Sequence, residues 1–317
     1  MQLLKVDKAH LGQADPFILK ANGRYYIYVT GHDAVYAYHS DNLFSGWEYY
    51  GPVFKYNKEY VEDYWAPSVI ELGGKFYMYN SFEYLNETPD KGGHTQTMFV
   101  SEAESPLGPF TNAQQILKPF SIDSHIVKNE NGLFLFYSTN RFEGGRIGTH
   151  IVVDRMLDPR TPEGKPKLVV EPTLDEEIYR KNRYKLGQHW HTIEGACYFH
   201  EGDYHYVLYS GNCYEKPTYY VGYAMAKTSE TDLTKIHFKK YPNDSTYCPL
   251  LRKNEFEEGT GHNSLIKENG QWYMVYHARD YDFDPEISVF DARNARICKL
   301  NIAEDGTLSV ERYKDKV

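Results

Sequence analysis

The chain has 317 residues, a formal net charge of −9 and a mean hydropathy of −0.64. Its acids are scattered rather than clustered, which argues against nucleic acid or an anionic membrane as partner. No stretch is apolar for long enough to span a bilayer, and Met1 to Lys8 lacks an apolar leader core. The expected location is therefore the cytoplasm, unless a leader has been trimmed.

In chain order, the first element is Asp15-Pro16-Phe17-Ile18-Leu19-Lys20, which turns at Gly23 into Arg24-Tyr25-Tyr26-Ile27-Tyr28-Val29. β-branched and aromatic residues on both sides of a glycine turn predict a hairpin. Val35 to Ser40 reads as a third strand. The unit recurs from Ala66 with a turn at Gly74, from Asp123 with a turn at Gly132, from Glu194 with a turn at Gly202, and from His262 with a turn at Gly270. Further third strands are expected at Thr97 to Ser101, Ile147 to Val153 and Tyr219 to Ala226. The charged stretch Leu174 to Lys185 reads as a loop excursion with a short surface helix. Ile287 to Val310 reads as two closing strands around Glu304-Asp305-Gly306.

The turn glycines at 23, 74, 132, 202 and 270 are 51, 58, 70 and 68 residues apart. Strand-only units at such steps are the pattern of radial repetition, so the expected fold is all-β, a five-bladed β-propeller filling residues 1–317 as one domain. The opening residue precedes its glycine by eight, eight, nine, eight and eight positions. Inner strands that start at one end of a central channel would bring Asp15, Ala66, Asp123, Glu194 and His262 together. The 30 tyrosines suit both pleated sheets and, at loop tips, stacking on sugars. The four cysteines show no metal-type pairing, and Cys197 and Cys298, in strand-like runs, are expected as free buried thiols.

The ordered set Ala14-Asp15-Pro16, Trp65-Ala66-Pro67, Ile122-Asp123, Ile193-Glu194-Gly195 and Gly261-His262-Asn263 resembles glycoside hydrolase family 43, the five-bladed arabinosidases and xylosidases. The likeness runs from about Asp15 to the region of Arg296. Glycoside hydrolysis needs one protonated acid at the leaving oxygen and one ionised carboxylate at the anomeric carbon or its water. Two carboxyls can differ in this way at one pH only if something separates their pKa values, and a third acid nearby does so. The residues alone leave open which acid does which job. Asp15 before Pro16 also reads as an ordinary strand start. Glu194, within an apolar-aromatic run, is hard to explain as a solvated surface charge.

The resemblance implies that Asp15 is the general base, Glu194 the general acid and Asp123 the group that raises and orients that acid, with inversion at the anomeric carbon. It also implies a calcium ion in the central channel, facing His262 and held mostly by water. Trp65 is expected as a wall for a pentose ring, Trp190 and His191, with His189, as a rim, and Arg296 as a contact to sugar hydroxyls. The sequence departs from the family at Ser124-His125 and at Ala196, beside two of the acids. The expected activity is exo-removal of xylose or arabinofuranose from a small plant-type oligosaccharide, the expected partner. A catalytically silent carbohydrate-binding or scaffolding propeller is the alternative from another class, and a phosphorolytic enzyme a third; no cluster of basic residues for phosphate is found.

Overall fold

Short runs of alternating aromatic and β-branched residues, broken by tight glycine turns, pair with their sequence neighbours because two-residue connections bring antiparallel partners together at little entropic cost. The computed structural model describes residues 2–4, 12–56, 61–284, 286–289 and 292–312. Its first sheet is β1 (Phe17–Ala21), β2 (Arg24–Val29), β3 (Val35–Ser40) and β4 (Glu48–Phe54), paired in that order. The second is β5 (Val61–Leu72), β6 (Lys75–Tyr84), β7 (Gln96–Ala103) and β8 (Thr111–Gln115).

The third unit is β9 (Ile122–Asn129), β10 (Gly132–Arg141) and β11 (Gly148–Asp158), edged by β12 (Thr161–Pro162) and β13 (Lys167–Val170). After β14 (Ile178–Arg180), the fourth is β15 (Trp190–Glu201), β16 (Tyr204–Gly211), β17 (Tyr220–Lys227) and β18 (Lys239–Lys240). A short parallel pairing, Gly148 with His191 and Thr149 with Thr192, joins these two units into one continuous sheet. The last unit is β19 (Glu257–Glu268), β20 (Gln271–Asp280), β21 (Asn294–Ile302) and β22 (Leu308–Arg312).

The architecture is the expected all-β, five-bladed propeller. The first strands of successive units are neighbours all the way round: β1 meets β5, β5 meets β9, β9 meets β15, β15 meets β19, and β19 returns to β1. Apolar clusters fill the gaps between blades. Tyr64, Phe76, Phe82 and Phe99 pack against Tyr26 and Tyr28 of the first blade, and Tyr206 and Tyr223 pack against Met274 and Tyr276. The N-terminus reinforces the join, since the Leu3 amide donates to the Ala295 carbonyl at 2.8 Å, beside the last blade's third strand. All four cysteines are free, and Cys197 and Cys298 are buried.

The Leu174 to Lys185 excursion differs from its expectation. One 3-10 turn, Asp175–Glu177, leads directly into β14, and Glu177 is fully buried rather than solvated. Lys240 explains this: its Nζ donates to Glu177 Oε1 at 2.5 Å, and both side chains are enclosed. A charge removed from water needs such a partner, so this segment docks on the fourth blade instead of coiling outside it.

Candidate active site

Each blade carries the same backbone irregularity in or just before its first strand. Asp15, Ala66, Asp123, Gly195 and His262 have φ of 53°, 45°, 58°, 64° and 45°. The pairing with the second strand slips nearby, between Trp65 and Ser68, Glu194 and Cys197, and Gly261 and Ser264. A bulge with a left-handed residue re-aims the side chains beside it, and such strain concentrates at functional sites. The structural equivalent of Asp15, Asp123 and His262 in the fourth blade is thus Gly195, not Glu194. Glu194 pairs with Ser210 as Trp65 pairs with Ser81, Ile122 with Ser138 and Gly261 with His277. The equal-offset reading misplaced the acid by one residue, because a glycine took the left-handed position.

Both sets of residues nevertheless reach one pocket. Asp15, Asp123 and Glu194 line it together with His262, Trp65 and Ile122, and Tyr214, Tyr219 and Arg293 complete the wall. Asp15 is the most densely held acid. Its Oδ2 accepts from the Thr30 hydroxyl at 2.6 Å, and its amide donates to His277 Nδ1 at 3.2 Å. Its Oδ1 lies 3.4 Å from His262 Nδ1, 3.3 Å from His277 Nδ1 and 3.6 Å from Arg293 Nη1. Burial pushes its pKa up, but His262, Arg293 and His277 outweigh that and hold the carboxyl well below its usual range.

The other two acids go the opposite way. Burial, with the charges of Glu194 and Asp15 added and His262 opposing, raises Asp123 to about 7. Glu194 is also raised to about 7, first by burial and then by the charge of Asp15, against a hydrogen bond from Tyr219 and the charge of Arg293. The Gly195 amide donates to Asp123 Oδ2 at 3.0 Å, tying Asp123 to the strand that carries Glu194. The Tyr219 hydroxyl donates to Glu194 Oε1 at 2.9 Å. One pocket therefore contains a carboxylate that is fully ionised at neutral pH and a pair of coupled carboxyls that are only partly ionised there. That is the separation acid–base chemistry requires.

Four expected contacts lie elsewhere. Arg296 is buried against Glu257 (3.3 Å) and Asp280 (2.5 Å), where it helps hold the last blade together. Trp190 packs against Phe142 and Tyr184 under the Arg183 guanidinium, with ring centroids 5.3 and 5.8 Å away. His191 lies 3.2 Å from the Ile147 carbonyl and 3.0 Å from Arg146 Nη1, while His189 accepts from the Asn182 amide. These groups brace the outer side of the acid-bearing strand.

Sequence reasoning missed Arg293 and Tyr219, and a signal for both was present. First and third strands of a blade run the same way, so third strands also begin at the site end. Arg293 immediately precedes β21, and Tyr219 immediately precedes β17. Arg296, three residues further on, has the opposite parity in a strand and faces the other side of the sheet.

The expected calcium is not specified by the residues present. Among the described residues no three His, Cys, Asp or Glu side chains converge as a ligand set. His262 turns its Nδ1 toward Asp15, and a hard cation prefers several oxygen donors.

The comparisons agree with this geometry. A family model described as "Glycosyl hydrolases family 43" matches residues 10–308. A search of curated proteins gives no match. Among solved structures, the chain is similar to a thermostable family-43 glycoside hydrolase, with 29% identity over 97% of this chain and 95% of that one and a TM-score of 0.76. It shares its fold with an α-L-arabinofuranosidase from Lactobacillus brevis at 20% identity, covering 98% of both chains with a TM-score of 0.78. It also shares its fold with an endo-1,4-β-xylanase from Bacteroides thetaiotaomicron at 23% identity, covering 98% and 97% with a TM-score of 0.75. With the family model spanning nearly every blade and the acids in one pocket, the chain belongs to glycoside hydrolase family 43.

Proposed function

We propose that the protein removes terminal xylose or arabinofuranose from short plant-type oligosaccharides by an inverting acid–base mechanism. The observation that carries this reading is the opposed ionisation of Asp15 and Glu194 across one small pocket. Glu194 gives its proton to the glycosidic oxygen as the C–O bond breaks, so the leaving group departs as an alcohol. Asp15 takes a proton from water as that water bonds to the anomeric carbon from the opposite face. Asp123 keeps Glu194 protonated and, through the Gly195 amide, aligned. Glu194, left deprotonated, and Asp15, left protonated, then reset by exchanging protons with solvent.

Pocket walls of Trp65, Ile122 and Tyr214 offer apolar faces to one small sugar ring, while Arg293, beside Asp15, reaches its hydroxyls. A compact pocket of this kind favours exo action. Aryl β-xyloside and aryl α-arabinofuranoside test the reading directly, with xylo- and arabino-oligosaccharides as natural counterparts. Release of single pentoses from chain ends supports it. Production of mixed internal fragments replaces exo with endo action, and inactivity of both the wild type and Glu194→Gln on the whole panel favours the silent binding propeller.

A further inference from the structure

Tyr219 donates its hydroxyl proton to Glu194 Oε1 at 2.9 Å. A phenol has a single proton, so with that proton directed at Oε1 the ring holds one oxygen of the acid and leaves the other free.

The fold has made room for this group. The Tyr219 ring is fully buried and stacks on His277 at 5.7 Å with an interplanar angle of 10°. A β-carbon on Gly261 would come within 1.9 Å of the Tyr219 ring, so only glycine allows the ring to lie there. The phenol is held well above its ordinary pKa by burial and then by the charges of Glu194, Asp123 and Asp15, so it remains a donor throughout the working range.

We propose that Tyr219 is the positioning residue of the acid: it occupies Oε1 of Glu194, so that the proton in transfer is carried by Oε2. This rests on the reading of Glu194 as general acid. The hydrogen bond also stabilises the Glu194 carboxylate that forms as the proton leaves. The other titratable groups around Glu194 are Asp15, Asp123, Arg293, His262 and Tyr214 in the pocket and Tyr179 and Cys213 beside it. None of these is an added hydroxyl donor on Oε1.

The test is Tyr219→Phe, which keeps the ring, its stacking and its fit over Gly261, read on a series of aryl glycosides of graded leaving-group ability. With alkyl or poor aryl leaving groups kcat falls about tenfold, the size of a hydrogen bond to a charged group. With a dinitrophenyl leaving group the fall is at most about twofold, because little protonation is needed. The alkaline limb of kcat/KM moves to higher pH, since the carboxylate has lost a donor. An unmoved limb, or equal losses across leaving groups, overturns the assignment. Glu194→Gln separates the two levels: if it shows leaving-group dependence and Tyr219→Phe does not, only the positioning role fails. If Glu194→Gln shows none, the acid reading fails and takes this role with it.

Discussion

The Gly195 amide donates to the Asp123 carboxylate over 3.0 Å, and the residue making that bond is itself held at φ 64°. A β-carbon at this position would approach His262 Nδ1 to 3.3 Å. Gly195→Ala is therefore expected to destabilise by about 1–2 kcal/mol from the left-handed backbone alone. It should also lower kcat by shifting Asp123 and Glu194 relative to each other. Thermal unfolding and turnover check this, and unchanged values for both would contradict it.

Glu194→Gln removes the proton donor while keeping the shape of the side chain. On substrates with poor leaving groups, kcat should fall by about 10²–10⁴-fold, the range of general acid catalysis. Aryl glycosides with acidic phenols should lose far less. A uniform loss would argue for a role other than proton donation.

Asp123→Asn deletes a negative charge next to Glu194. Coupling between two like charges raises the proton affinity of both, so its removal lowers that of Glu194. The alkaline limb of the rate profile is then expected below its wild-type position, near 7 in the wild type. A limb that stays in place or rises would contradict the role of Asp123.

The same acids set a pH dependence of stability. Asp123 and Glu194, raised to about 7 when folded, bind more protons in the native than in the unfolded chain between their ordinary values and 7. Their contribution to stability therefore falls as pH rises through that window and levels off above it. Asp15 has the reverse sign: its depressed value stabilises above the ordinary carboxylate range and is lost only as pH falls below it. Glu194→Gln should consequently raise Tm more at pH 8 than at pH 5. Equal Tm changes at the two pH values would show that the carboxyl is not strained by burial.

The two arginines near the C-terminal end differ in their effect on kinetics. Arg293→Ala should raise KM and lower kcat, and also lower Tm, because the buried Arg293 helps compensate the charge of Asp15. Arg296→Ala should leave KM unchanged and cost about 1–3 kcal/mol of stability, since buried Glu257 loses one arginine but keeps Arg312 at 2.9 Å. A denaturant titration beside steady-state kinetics distinguishes them, and interchangeable behaviour would undo the placement of Arg293 in the site.

Much of this was readable in the chain, because repetition amplifies a weak signal. One glycine turn between aromatic strands says little, whereas five at similar offsets define a ring and the end where its inner strands begin. Asp15, Asp123 and His262 were found in that way. Glu194 was singled out but placed one residue out of register, since a left-handed glycine beside an acid looks the same in sequence as an acid at the left-handed position. Arg296 was named and Arg293 missed, because strand parity is visible only once the strand start, at Asn294, is known. Glu177 could not have been recognised as buried, because its partner Lys240 lies 63 residues away on a different strand.

The most direct test of the account follows the anomeric configuration of the first sugar released, by proton NMR, before mutarotation sets in. Activation of water by Asp15 opposite the proton donor Glu194 predicts a product of inverted configuration, the β-anomer from an α-arabinofuranoside or the α-anomer from a β-xyloside. A product of retained configuration would mean that a carboxylate attacks the sugar itself, and the roles assigned to Asp15 and Glu194 would be wrong.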